Sequence, residues 1–108
     1  MKTIEGYKYF GYFVGMPYGH GLCDESFSDY PIVETDYERK KILEHIDSIA
    51  PAVTSVPTYS LIDGTALQAG MYIDGEYCFP TDFYYFYSAG LVGFPIEYLN
   101  DLRSRGII

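Results

Sequence analysis

Apolar positions along this chain change period several times, and each change marks an element. Tyr7-Lys8-Tyr9-Phe10-Gly11-Tyr12-Phe13-Val14 is aromatic and β-branched on both alternating faces, which predicts a strand covered on two sides over residues 7–14. Gly15-Met16-Pro17-Tyr18-Gly19-His20-Gly21 follows, and its glycines and proline predict a loop. Leu22 to Glu34 shows no apolar period and is expected to run extended along a sheet edge. Thr35-Asp36-Tyr37-Glu38 has the spacing of a capping box, and Ile42, Leu43, Ile46 and Ile49 then recur at helical spacing until Pro51. This predicts a helix over 36–50, with Glu38–Lys41 and Lys40–Glu44 as local pairs on its outer side.

Beyond Pro51 the texture turns β-branched. Val53, Val56, Thr58, Tyr59, Leu61 and Ile62 predict a strand ending at Asp63-Gly64, placed at an edge by Pro57. Leu67–Ile73, Asp74-Gly75 and Glu76–Phe79 predict a hairpin with a type I′ turn. Phe83-Tyr84-Tyr85-Phe86-Tyr87, aromatic at every position, predicts one further strand. Pro95, then Ile96, Leu99 and Leu102 at helical spacing, then Gly106 predict a short C-terminal helix. The order is β-α-β-β-β-α: an α+β domain with a mostly antiparallel sheet of about four strands and two helices on one of its faces. With 108 residues and 48% hydrophobic positions, one domain spanning 1–108 with a single core is expected.

Charge changes the picture most. The chain has 15 Asp and Glu against 7 Lys and Arg, a formal net charge of -8. Between Ile42 and Leu102 there is no Lys or Arg, while Glu44, Asp47, Asp63, Asp74, Glu76, Asp82, Glu97 and Asp101 fall inside that stretch. Such a chain is repelled by nucleic-acid backbones and anionic membranes and is attracted to a basic protein surface. Apolar runs are too short to span a bilayer. Residues 1–6 show no apolar signal segment, so a cytoplasmic location is the expectation.

Tyrosine is the second anomaly: 13 Tyr and 7 Phe stand beside no Trp. Phe is expected to fill the core, while Tyr18, Tyr30, Tyr72, Tyr77, Tyr84 and Tyr87 are expected at the surface, where Tyr serves well in contact sites. Tyr18, Tyr72, Asp74, Glu76, Tyr77, Asp82, Tyr84 and Tyr87 are therefore the candidate partner-binding residues.

Catalytic and metal motifs are weak. His20, Cys23, His45 and Cys78 are scattered singly, unlike the paired ligands of a structural zinc site, so no metal or other cofactor is expected, and Cys23 and Cys78 are expected as free thiols. The reading is a non-enzymatic, tyrosine-rich acidic protein that occupies a basic surface on a partner, itself a candidate nucleic-acid-binding protein. Small acidic inhibitors of phage and mobile elements, such as anti-CRISPR and anti-restriction proteins, offer an analogy of class only. Two other classes stay open: an aromatic-lined protein that sequesters a nucleotide-like ligand, and a small enzyme using Asp/Glu or the pair Cys23 and His20. Gly106-Ile107-Ile108 and residues 83–87 are offered as surfaces for a homodimer.

Overall fold

The computed structural model describes residues 1–16 and 21–108, with the side chains of 53–58 and 68 outside the description. Most of the predicted glycine loop at 15–21 thus lies outside the described residues. The chain begins with a hairpin that the apolar pattern does not announce. Strands β1 (Lys2–Ile4) and β2 (Tyr7–Tyr9) pair antiparallel with Ile4 opposite Tyr7, leaving Glu5 and Gly6 as turn residues. Both have positive φ, 51° and 86°, as a type I′ turn requires. The strand predicted over 7–14 is cut short after Tyr9. Gly11 turns the chain with φ 82°, and a Cβ there would lie 2.5 Å from Cδ2 of Phe83, so glycine lets backbone press against a core ring.

Helix α1 (Asp36–Asp47) starts as predicted: the Thr35 hydroxyl accepts from the Glu38 amide at 3.2 Å, and the Glu38 carboxylate accepts from the Thr35 amide at 3.0 Å. It ends before the predicted residue 50. The Ser48 and Ile49 amides turn to the carbonyls three residues back, tightening the last turn ahead of Pro51. The charged pairs expected on α1 give way to others: Glu38 meets Arg103 at 3.2 Å, and Lys41 lies over the Tyr37 ring one turn back.

Strand β3 (Ala52–Tyr59) lies at the sheet edge, as Pro57 predicts. It pairs with β4 (Ala66–Asp74), which pairs with β5 (Tyr77–Pro80). At the β4–β5 hairpin Asp74 stands opposite Tyr77, so the turn residues are Gly75 and Glu76, one place later than predicted. Only Gly75 has positive φ there, 60°, which fits a type II′ turn and corrects the predicted I′.

The largest correction concerns 83–87, which form no strand but the middle of helix α2 (Thr81–Ser88). At period two these aromatics cover both faces; at period 3.6, Phe83, Phe86 and Tyr87 fall on one side, and all are fully buried while Tyr84 and Tyr85 stay half-exposed. Burial of one helical face outweighs the β preference of Phe and Tyr. Helix α3 (Ile96–Ser104) is the predicted C-terminal helix, and Gly106 at φ 72° follows it.

The sheet runs β1-β2-β5-β4-β3, antiparallel except where β2 pairs parallel with β5. That parallel pair is possible because the connection between β2 and β5 is long enough to cross over. The class is α+β, with five strands and three α-helices among the described residues where about four and two were predicted. His45 of α1, Phe83 of α2 and Tyr98 of α3 all reach the sheet face bearing Tyr72, Asp74 and Phe79, so the helices share one face.

Phe10 lies in the middle of the core, its ring within 6.3 Å of Tyr30, Tyr77, Phe79, Phe83, Phe94 and Tyr98. Beside it the chain crosses itself closely at Gly93, whose amide donates to the Tyr30 carbonyl at 2.7 Å. A Cβ on Gly93 would meet the Pro31 carbonyl oxygen at 2.4 Å and the Ile32 Cα at 2.9 Å, both backbone atoms that cannot swing away. Gly93→Ala is therefore expected to cost about 2 kcal/mol and to lower the melting temperature by roughly 8 °C or more in a thermal denaturation.

Candidate interaction face

The surface exposure predicted for the tyrosines fails for most of them. Tyr77 and Tyr87 are buried, Tyr30 and Tyr72 nearly so, and Asp74 and Asp82 are buried carboxylates. Among the candidates that the structure describes, Glu76 is exposed and Tyr84 half-exposed, and Tyr18 lies outside the described residues. Glu76 is answered by Lys8 at 3.2 Å, with the same ammonium 5.4 Å from the Tyr77 ring.

The buried tyrosines keep company with carboxylates delivered by other elements. Tyr98 donates its hydroxyl to Asp74 at 2.6 Å, Tyr87 to Glu34 at 2.7 Å, and Tyr30 to Glu25. Burial, reinforced by each neighbouring carboxylate, pushes all three phenols well above their ordinary pKa of 10.0. A buried phenol needs a hydrogen-bond acceptor, and acidic side chains supply it here. Part of the chain's acidity is therefore spent inside the fold.

Asp74 is the densest of these junctions. Arg105 reaches both of its oxygens, at 2.8 and 3.0 Å, His45 Nε2 lies 2.9 Å from Oδ2, and Tyr98 donates to that same oxygen. Burial would raise the Asp74 carboxyl, yet the bonds from Arg105, Tyr98 and His45 prevail and hold it well below 3.8. The guanidinium also meets Asp101 at 2.8 Å, so the C-terminal residues are pinned to the sheet. Ile107 and Ile108, offered above as a self-pairing tail, pack half-buried against this chain's own core.

Two half-exposed tyrosines stand on the outer side of α2. Tyr84 donates to Asp47 at the end of α1, and Tyr85 donates to Asp63 Oδ2 at 2.9 Å in the β3–β4 connection. Asp63 also accepts from the Thr65 amide at 3.0 Å, and the Thr65 and Tyr85 bonds lower its carboxyl to about 2. The Tyr72 ring lies 5.8 Å from that of Tyr84, backing it from the sheet. Two carboxylates thus aim two phenol rings, and neither Asp47 nor Asp63 forms an ion pair among the described residues. Tyr84 was among the sequence candidates; Tyr85, Asp47 and Asp63 were missed. The partners lie 37 and 22 residues apart, beyond what local spacing reveals.

The cations are mostly occupied elsewhere. Arg39 donates to the Tyr87 and Ser88 carbonyls at 2.8 and 3.1 Å and stacks over the Tyr87 ring, Arg103 meets Glu38, and Lys2 meets Asp24. Cys23 and Cys78 are unbridged. Burial and then Asp24 raise the Cys23 thiol against the opposing pull of Lys2, which leaves little thiolate for nucleophilic chemistry at neutral pH; its suggested partner His20 lies outside the described residues. Among the described residues no group of three His, Cys, Asp or Glu side chains is placed to hold a metal ion, and no helix is long and apolar enough to cross a membrane.

Comparison of the chain with protein-family models, with curated proteins and with solved structures gives no match.

Proposed function

We propose that this chain is a non-enzymatic binding protein that occupies a basic surface on a protein partner. The observation that carries this reading is the outer face of α2, where Asp47 and Asp63 orient Tyr84 and Tyr85 without an ion-pair partner among the described residues. Oriented phenols supply stiff contact area at little entropic cost, and carboxylates beside them attract Lys and Arg. The net charge of -8 adds long-range steering toward such a partner. Carboxylates in place of phosphates, next to rings in place of stacked bases, suit the groove of a nucleic-acid-binding protein, and inhibition by occupying that groove is the role that follows.

Affinity capture from the native source, with mass spectrometry at low and high salt, tests this. Basic proteins are expected to be retained at low salt and released at high salt. The double substitution Asp47→Asn and Asp63→Asn keeps acceptors for both hydroxyls and removes two charges, and should weaken retention about tenfold. Neutral or acidic partners whose binding ignores salt would sink the proposal.

A further inference from the structure

The β3–β4 connection combines two properties that rarely occur together in a surface loop: it is tied down from inside and it holds apolar side chains out. The Ser60 amide donates to the Thr65 carbonyl at 2.9 Å, Gly64 to the Ser60 carbonyl at 3.0 Å, and Ile62 to the Ser60 hydroxyl at 3.2 Å. Tyr85 fixes Asp63 from α2. Yet Leu61 is 41% exposed, Ile62 48% and Tyr59 58%, and Val14, 67% exposed, shares a groove with Leu61. This open groove of about 440 Å³, next to the turn at Phe27–Asp29, is lined by Phe13, Val14, Ser26, Phe27, Ser28 and Leu61, with Glu25. Ordered apolar surface facing water is characteristic of a contact site, and its ordering cost is met before any partner arrives.

Charge selects the partner. Asp29, next to Ser28, accepts from the Ser26 amide at 2.8 Å, and Asp63, two residues after Leu61, accepts from Thr65 and Tyr85. Neither lines the groove or forms an ion pair among the described residues; Asp29 is held against the backbone of Ser26, a lining residue, and Asp63 follows Leu61 by two places. Glu25, also in the lining, turns its oxygens inward to the Gly11 amide, the Met1 amine and the Tyr30 hydroxyl.

Resting on the basic-partner reading above, the geometry points to this groove as the seat of a basic peptide segment of the partner. One aliphatic or aromatic side chain of that segment enters between Leu61 and Phe27, and Lys or Arg residues flanking it reach Asp29 and Asp63.

The test is a selection of random dodecapeptides displayed on phage against the immobilised full chain at low salt. Enriched peptides are expected to carry an apolar residue flanked by Lys or Arg. A synthetic peptide of the enriched consensus should bind Leu61→Asp about tenfold more weakly, and Asp63→Asn about threefold more weakly, than the parent chain. Circular dichroism of both variants should match the parent, since Leu61 and Asp63 are exposed. Basic peptides that bind Leu61→Asp as well as the parent, and are released by salt, would overturn the groove while leaving the basic-partner reading standing. Enrichment of acidic or uncharged peptides, or of none, would overturn both. A dimer in sedimentation equilibrium that Leu61→Asp dissociates would assign the groove to a second copy and overturn the peptide.

Discussion

Phe10→Ala is expected to lower the unfolding free energy by about 4 kcal/mol, the cost of deleting a buried phenyl ring that its neighbours cannot collapse to fill. The ring is fully buried, stacked on Phe79 at 5.0 Å and met edge-on by Phe83 at 5.3 Å. Those neighbours come from β5 and α2, and Phe94 and Tyr98 close the far side. A domain of this size has about 5–15 kcal/mol in total, so the variant should approach the threshold of folding. Urea titration followed by far-ultraviolet circular dichroism measures it: the midpoint should fall sharply with the slope unchanged. A loss below about 1 kcal/mol would mean that the surrounding rings close over the void.

Asp74→Ala is expected to cost about 3 kcal/mol, because it strands the Arg105 guanidinium and the Tyr98 hydroxyl at a largely buried site. The lower end of the usual range applies, since the Arg105 side chain is 33% exposed and water can reach part of it. Asp74→Asn, retaining one carbonyl acceptor, should lose less. The pH dependence has a definite sign. The folded carboxyl titrates below its ordinary 3.8, so its contribution is complete above that value and declines as pH falls through the lower folded one. The stability gap between the parent and Asp74→Asn should therefore be constant near neutrality and narrow below about pH 4, measured by urea titrations across that range. A gap that widens on acidification would show that the carboxylate is not the ionised partner of Arg105.

What the sequence reveals and what it conceals divide along range. Helix α1 was legible because its cap, its apolar stripe and its terminating proline all lie within seventeen residues, Thr35 to Pro51. The β4–β5 hairpin was legible for the same reason, although the turn shifted by one place, since Gly75 takes the first turn position rather than the second. Helix α2 was not, because five consecutive aromatics satisfy a two-residue and a 3.6-residue period equally, and only packing against Phe10, Phe79 and Phe94 selects between them. The tyrosines were misplaced for a related reason. A phenol belongs at the surface unless an acceptor is provided inside, and Glu25, Glu34 and Asp74 provide one through contacts that no local pattern records. The acidic surplus was read correctly as a number and incompletely as a location, since Asp74, a candidate partner-binding residue, is an interior acceptor.

Those interior phenol–carboxylate contacts set an upper limit on alkalinity. Tyr30, Tyr87 and Tyr98 release their protons from the folded chain only far above 10.0, whereas the unfolded chain releases them near that value. A raised folded pKa stabilises below the unfolded one and progressively less above it, so each of these hydroxyls favours unfolding once the solution passes about pH 10. The residues that knit sheet to helices at neutral pH are thus the ones through which strong base dissolves the fold, with tyrosinate as the species that cannot be accommodated inside.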